Sequence, residues 1–462
     1  MDGRLPPLTP ALSPSNAGGE GELKDALSTS EVVTPVGVAV AVIGAGGAGF
    51  LAAIGAARVC REIGVSGKVV LFERMKTPAK KVVISGGGRC NFSNTLDARQ
   101  FVRLFGDRNA GKLGNALRSF SNERVIELLK EYGVEGQVEK NYRLYTKSGR
   151  GGDVVAALAK ELQKSGGDLQ LQTRIVEIKK TDGGFELSGT FNGVEGIRLA
   201  RAVVICTGGL SYPVTGSTGD GYAWARAFGH GVTKLRAALV GLAVAETWTK
   251  SLQGLAWPDT RVSLWPGAAH QGKPINEERA EILFTHFGIS GPAILDTSNA
   301  YVASGMPKAA LTLDFFPDEP REKLEAYLQK CFKQHPTRTA IRAMDGLMPA
   351  RLLEHIDGQL GADGQVHACR LTKAARNKLL DLLKAMPLTV TGTRGIEYGE
   401  VTAGGVEWEG IDAGTLESKF MPGVFFAGEI LDLAGRCGGF NLQAAFSTGY
   451  LAGSCAARSL KG

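Results

Sequence analysis

A chain of 462 residues has room for a large domain plus one or two smaller ones, so a single small module is excluded. Hydrophobic residues at 44% and charged residues at 21% exclude a disordered or fibrous chain, and seven dispersed cysteines with no C-x-x-C pair argue against a disulfide scaffold or a zinc site. The formal charge of +7 comes from basic residues scattered among acidic ones with no dense Lys/Arg run, a pattern that favours no nucleic-acid partner and no membrane surface.

In chain order, residues 1–36 are rich in Pro, Ser, Gly and Glu without a basic start and apolar stretch, and read as a disordered leader, not a signal peptide. Val32 to Ala57 carries no charge, yet Gly44, Gly46, Gly47 and Gly49 divide it into a strand-length and a helix-like piece, which excludes a membrane helix. A strand (Val38 to Ile43), a glycine turn, a helix (Ala48 to about Ile63) and a second strand (Lys68 to Glu73) form a βαβ opening, hence an α/β fold with a parallel sheet. Helical stretches near Asn122 to Tyr132 and Asp153 to Lys164 precede strands at Leu169 to Ile178, Gly184 to Phe191 and Ala202 to Cys206.

From about Ala237 to Leu388 the composition changes. Strands near Leu239 to Val244 and Ala310 to Phe315 alternate with helical stretches near Lys323 to Lys333 and Lys373 to Ala385, with Trp257 and Trp265 as core residues. The nucleotide-binding signature resumes at Gly423 to Gly453, so the expected organisation is a Rossmann-like domain in two parts, 37–236 and 389–462, with a cap domain inserted at 237–388.

Gly44-Ala45-Gly46-Gly47-Ala48-Gly49 places G-x-G-x-x-G between strand and helix, where glycine permits the turn and lets backbone approach a pyrophosphate at the helix N-terminus. Glu73, ending the next strand beside Arg74, suits the adenosine ribose hydroxyls and would repel an extra phosphate. Two further apolar strands, ending in Thr207-Gly208-Gly209 and Gly428-Glu429, would deliver backbone to the same crevice. Gly438-Gly439-Phe440-Asn441-Leu442 opens a helix whose N-terminus would stabilise negative charge on a reduced flavin ring.

The stretches Ile84 to Asn91, Thr207 to Gly221, Phe284 to Pro292 and Gly428 to Gln443, in that order, resemble the BaiN/YhiN-type flavoproteins, also labelled aminoacetone-oxidase-family FAD-binding enzymes. The resemblance runs from about Val38 to Gly453. It implies FAD held by a two-part Rossmann-like domain with an inserted β-rich domain and a small helical part. It further implies that Glu73 holds the adenosine ribose, Val176 meets adenine through its backbone, Lys81 and Arg89, Cys90 and Asn91 line the diphosphate and flavin side, and Glu429 faces the ribityl chain. Ala434-Gly435-Arg436-Cys437 departs from a family loop that often reads Asp-Gly-Pro-Thr, adding a cation and a thiol near the flavin.

His286, in a Gly/Ser/Pro turn of the insert, is the expected proton-transfer candidate; a histidine bonded to its own loop is the plain alternative. Cys90 and Cys437 each follow an arginine, an electropositive setting that favours thiolate, but neither has a partner cysteine. Asp220 and Tyr212-Pro213 read first as turn residues. The expected function is an FAD-dependent oxidoreductase moving hydride to or from the flavin on an unidentified small molecule in the cytoplasm. Whether NAD(P)H feeds it stays open: no second G-x-G-x-x-G follows a strand, which argues against a separate NAD(P) domain but not against transient nicotinamide docking at the flavin. The alternatives are a flavin-dependent RNA-modifying or RNA-binding protein and a non-catalytic flavin sensor.

Overall fold

The computed structural model of the chain describes residues 37–267 and 272–461; the leader expected at 1–36 lies outside them. Strand β1 (Val38–Ile43) has every residue buried, as a strand covered on both faces requires, and it pairs in parallel with β2 (Lys68–Phe72) and with the end of Val194–Ile205. These belong to a seven-stranded sheet that runs Gly167–Gln170, β2, β1, Val194–Ile205, Gly184–Phe191, Thr173–Thr181, with Val424–Phe426 also pairing in parallel with Val194–Ile205. The last two strands of that path and Val194–Ile205 form an antiparallel meander. The expected short strand Ala202 to Cys206 is thus the inner end of a strand that begins at Val194.

Helix α1 (Gly47–Ile63) connects β1 to β2 and is buried along most of its length. It lies against the C-terminal helix Phe440–Arg458 because small residues let the two backbones touch. A Cβ on Gly449 would stand 2.1 Å from the Ala48 carbonyl oxygen, and one on Gly453 would stand 1.9 Å from that of Ala52. Any side chain at either position would push the two helices apart, so chain segments about 400 residues distant in sequence are locked by glycine.

The insert is a closed six-stranded barrel, in the order Leu242–Val244, Gly288–Ser290, Asn276–Thr285, Ala256–Pro266, Ala309–Asp314, Met386–Thr393. Alternate residues Val262, Leu264, Ile282, Phe284, Leu311, Leu313, Leu388 and Val390 are buried and fill its interior, the period of two that a barrel wall imposes. Helices Arg321–Gln334, Ala350–Leu360 and Lys373–Lys384 share its core. Trp257 packs on that core and donates from Nε1 to the Phe315 carbonyl (3.1 Å), while Trp265 donates to Thr312 Oγ1 (3.0 Å).

The expected strand Leu239 to Val244 is divided. Arg236–Ala238 pairs with Val401–Ala403 in a ribbon at the neck between sheet and barrel; Leu239 then turns through a φ of +51°, and only Leu242–Val244 joins the barrel. Among the described residues no helix is long and apolar enough to cross a membrane.

Candidate functional site

A cavity of about 780 Å³ opens where the C-terminal ends of the parallel strands meet the neck ribbon and the barrel. That is the position at which open α/β sheets bind ligands.

At one end lies the turn between β1 and α1. Gly44 has φ +98° and a Cβ there would stand 2.6 Å from the Cys206 carbonyl oxygen, so only glycine fits. Gly46 has nothing within 4 Å of where its Cβ would be, which leaves its backbone open to the cavity beside Ala45 and Ala48. Gly46 caps α1 without a side-chain hydrogen bond, and the first turn carries no acid, so free N–H groups and the helix dipole face the cavity. Glu73 accepts from the Ala45 N–H through Oε2 (3.0 Å) and from the Met75 N–H through Oε1 (2.8 Å). Burial pushes its carboxyl above the usual range, and those two N–H groups and Arg74 pull it back. Arg74 itself donates to Thr218 Oγ1 (2.7 Å) and Asp220 (3.0 Å), so Asp220 does more than shape a turn.

Midway, Lys81 Nζ donates to Ser211 Oγ (2.7 Å) and to Glu429 (2.9 and 3.2 Å), and Glu429 also accepts from the Thr402 N–H (2.9 Å). Gly428, Thr207 and Gly208 complete this wall. Arg89 pairs with Glu139 (2.7 Å) and lies 4.1 Å over the Tyr145 ring.

At the far end Gly438 and Gly439, with φ of +119° and +81°, lead into the C-terminal helix, whose N-terminus has no side-chain cap and no acid in its first turn. Asn441 staples the preceding loop, accepting from the Gly435 N–H (2.8 Å) and donating to its carbonyl (3.0 Å), and Leu442 lies beside it on the cavity wall. Arg436 binds Glu278 and lies 3.5 Å from Asp296, and Asp296 accepts from the Cys437 N–H (2.7 Å).

Three buried polar atoms on the cavity wall have no partner: Thr207 Oγ1, Asn91 Oδ1 and Arg143 Nε. Buried polar groups are ordinarily satisfied, so ligand groups able to hydrogen-bond are called for along the length of the cavity. The two uncapped helix N-termini, one at each end, ask for negative charge at two separated points. A dinucleotide flavin has that chemistry, a diphosphate and a ring that becomes anionic on reduction, and the residues present fit FAD.

Five of the expected site residues do not line the cavity. Gly49 lies beneath the turn, where a Cβ would be 1.8 Å from the Gly44 carbonyl oxygen. Phe440 turns away into a ring cluster with Phe101 (5.0 Å) and Phe105 (6.0 Å). Val176 points outward and its carbonyl is taken by Trp224 Nε1 (3.1 Å), while its neighbours Thr173, Arg174 and Ile175 do line the cavity. Cys90 is fully buried, and burial pushes its thiol up to about 11. Burial also raises Cys437, which does line the cavity, so the arginines beside both cysteines fail to produce thiolates. His286 is exposed at the hairpin tip between Asn276–Thr285 and Gly288–Ser290, its ring in edge contact with Phe287, and it is not among the residues that line the cavity.

Sequence reasoning missed Arg143, Leu239, Glu281, Leu283, Leu295 and Glu400, all on the cavity wall. No motif marks them; Leu283 alone stood next to a motif, one residue before Phe284.

The chain matches the HI0933-like protein Rossmann domain family over residues 38–455. It is 30% identical over 414 residues to a protein of Escherichia coli (strain K12) named ribosomal RNA dihydrouridine synthase, covering 88% of this chain and 95% of that one. It is 29% identical over 427 residues to the 3-dehydro-bile acid delta(4,6)-reductase of Clostridium scindens, covering 90% and 98%. In fold it is similar to 3-ketosteroid-delta4-(5alpha)-dehydrogenase from Rhodococcus jostii RHA1, with a TM-score of 0.51 at 15% identity over 94% of this chain and 99% of that one. These likenesses agree with the resemblance carried by the four sequence motifs.

Proposed function

This chain belongs to the HI0933-like family and is an FAD-dependent oxidoreductase; on that premise we propose that it is a cytoplasmic reductase of a carbon–carbon double bond activated by a neighbouring carbonyl, in a small molecule, with NAD(P)H as the transient electron donor. The observation that carries the reading is one continuous cavity, built of backbone and glycine at the sheet end and of the apolar side chains Leu239, Leu283 and Leu295 at the barrel end. A cofactor and an apolar substrate would meet inside it, away from water. The names of the two curated relatives both denote addition of hydrogen across a carbon–carbon double bond, in a pyrimidine ring and in a bile acid.

FAD, when bound, supplies a two-electron carrier able to donate or accept hydride. The chain does the rest. The free N–H groups of Gly46, Gly47 and Ala48 would hold the diphosphate, Glu73 would orient the ribose, and the Lys81–Glu429–Ser211 network fixes the strand ends along the middle of the cavity. The N-terminus of Phe440–Arg458 would stabilise negative charge on the ring, and the barrel would exclude water.

A small substrate is favoured over RNA because three cavity-wall arginines are already neutralised, Arg74 by Asp220, Arg89 by Glu139 and Arg436 by Glu278. All seven cysteines are free thiols, which suits a reducing compartment. The test is the visible spectrum of the purified protein, recorded anaerobically as NADH and then NADPH are added, followed by 2-cyclohexenone. Oxidised-flavin bands that bleach with one nicotinamide and return with the enone are the expected result. Return with oxygen alone would make the protein an oxidase, and failure to bind FAD on reconstitution would refute the reading.

A further inference from the structure

The cofactor-binding features run from the sheet end through the middle of the cavity to the N-terminus of Phe440–Arg458, where the ring would lie. They leave the barrel side of that position, and there two side chains of opposite charge stand without partners among the described residues. Arg143, on strand Arg143–Thr146, makes no hydrogen bond or ion pair through its guanidinium with any described residue, and its Nε is buried. A Cβ on Gly438 would stand 3.6 Å from its Cγ, which places the side chain beside the N-terminus of Phe440–Arg458. Glu400 sits at the neck, its N–H bonded to the Leu239 carbonyl (3.1 Å) one residue before the strand Val401–Ala403. Its carboxylate lines the cavity, stays exposed there, and likewise has no hydrogen-bonding partner among the described residues. Leu239, Leu283, Pro292 and Leu295 supply the apolar wall around the pair.

An unpaired cation next to a helix N-terminus is a strongly electropositive point, and it favours an oxygen on which negative charge develops. An unpaired carboxyl on a cavity wall built largely of apolar side chains favours its protonated form more than one in open water does. Burial pushes Glu400 up, and Arg143 and Lys81 pull it back. The groups facing it are Arg143 from the strand Arg143–Thr146, Lys81 from the helix Lys80–Ile84, and Cys437 from the loop before the last helix. Glu281 lines the same cavity from the barrel, and Asp296 and Arg436 lie behind Cys437.

Resting on the flavoprotein reading, we infer that the barrel end of the cavity is the substrate compartment, that Arg143 receives the carbonyl oxygen of an uncharged, largely apolar substrate, and that Glu400 exchanges a proton with the carbon next to that carbonyl. When hydride adds to the β carbon of a conjugated carbonyl, two electrons and one hydrogen arrive and the carbonyl oxygen takes the negative charge. Arg143 stabilises that oxygen. The Glu400 O–H bond then breaks as a C–H bond forms at the α carbon, the substrate becomes neutral and saturated, and the carboxylate left behind regains its proton from solvent. The hydride is the contribution of reduced FAD, itself reduced by the nicotinamide.

The test uses the FAD-loaded protein and the variants E400Q, R143Q and E281Q. The absorption spectrum of the bound oxidised flavin, followed from pH 5 to pH 9, should show one transition in the wild type. E400Q should abolish it, R143Q should move it to higher pH by removing the cation that holds Glu400 ionised, and E281Q should leave it in place. The phenolate of 4-chlorophenol, a planar oxyanion able to stack on the flavin, should bind at pH 8 with a Kd at least tenfold weaker in R143Q than in the wild type. FAD affinity should stay within about twofold in all three variants, so that R143K can be read as partial rescue of phenolate binding. Two results would overturn the inference while leaving the flavoprotein reading intact: a tenfold loss of FAD affinity in R143Q, which would make Arg143 a cofactor ligand, or a transition that follows Glu281. A wild-type protein that binds no FAD would instead overturn the reading beneath it.

Discussion

The two ends of the cavity are built from different materials. The sheet end is backbone: its contacts are N–H groups made available by Gly44, Gly46 and the uncapped start of α1, and the one side chain that matters there, Glu73, is itself held by two backbone N–H groups. The barrel end is side chain: Arg143, Glu400, Leu239, Leu283 and Leu295 come from five separate places in the chain and share no local pattern. A site made of backbone must spend glycines in a fixed spacing, because a Cβ would fill the space or forbid the turn. A site made of side chains needs only that the fold bring ordinary residues together.

The largest effects should come from two glycines that differ in what surrounds them. Gly44→Ala forces a side chain into a left-handed conformation and against the Cys206 carbonyl, which costs about 1–3 kcal/mol for the backbone alone. It should lower Tm by several degrees and abolish FAD retention on gel filtration. Gly46→Ala meets open space in the empty protein, so its Tm without cofactor should stay within about 2 °C of wild type, while FAD affinity falls at least tenfold because the methyl group occupies the cofactor's approach. Equal loss of apo-protein stability in both variants would break the contrast, since Gly46 would then be serving the fold and not the ligand.

The same contrast explains what was legible beforehand. The βαβ opening, Glu73, the Thr207-Gly208 and Gly428-Glu429 strand ends and the glycines before the last helix could be read because glycine spacing and unbroken apolar strands such as Val38 to Ile43 mark them directly. The barrel was legible only in part, as a change of composition, one strand (Ala309–Asp314) and two of its helices (Arg321–Gln334 and Lys373–Lys384). Asn276–Thr285, one of its longest strands, begins Asn-Glu-Glu-Arg, and the outer charges on this strand mask the alternation that buries Ile282 and Phe284. His286 attracted the proton-transfer role because a histidine in a motif is conspicuous. Glu400 has no motif, and only the neck ribbon, which pairs Arg236–Ala238 with Val401–Ala403, carries it to the cavity.

The barrel end should also carry the stronger pH dependence, because side-chain carboxyls titrate and backbone does not. Burial raises Asp296 to about 6, against Arg436 and the Cys437 N–H, which pull it down. Its folded pKa exceeds its unfolded value near 3.9, so the folded state binds more protons between those two values. Stability contributed by this group is therefore present below about pH 4 and is lost as pH rises to about 6, by an amount on the order of 3 kcal/mol. Thermal melts of the cofactor-free protein at intervals from pH 4 to pH 7 should show a decline with a component that disappears in Asp296→Asn. An unchanged slope in that variant would mean that Arg436 compensates Asp296 fully and that the arginine of the departing loop outweighs burial.

The smallest effect concerns Cys90 and Cys437, the two cysteines that follow arginines. Electropositive neighbours lower a thiol's pKa and burial raises it; at Cys90 burial wins and brings the thiol to about 11, while Cys369 is exposed. Because the thiolate fraction falls tenfold for each unit of pKa, Cys90 should react with iodoacetamide at pH 8 on the order of a hundredfold more slowly than a thiol near 9, before protection by burial is counted. Cys437 should be slow as well, since burial and the carboxylates of Glu400 and Asp296 together outweigh Arg143 and Arg436. Mass spectrometry of the alkylated protein should find Cys369 modified first and these two last. Early modification of Cys437 alone would show that the helix N-terminus and the two arginines govern the barrel end, in which case a thiolate, and not only Glu400, would be available to the substrate there.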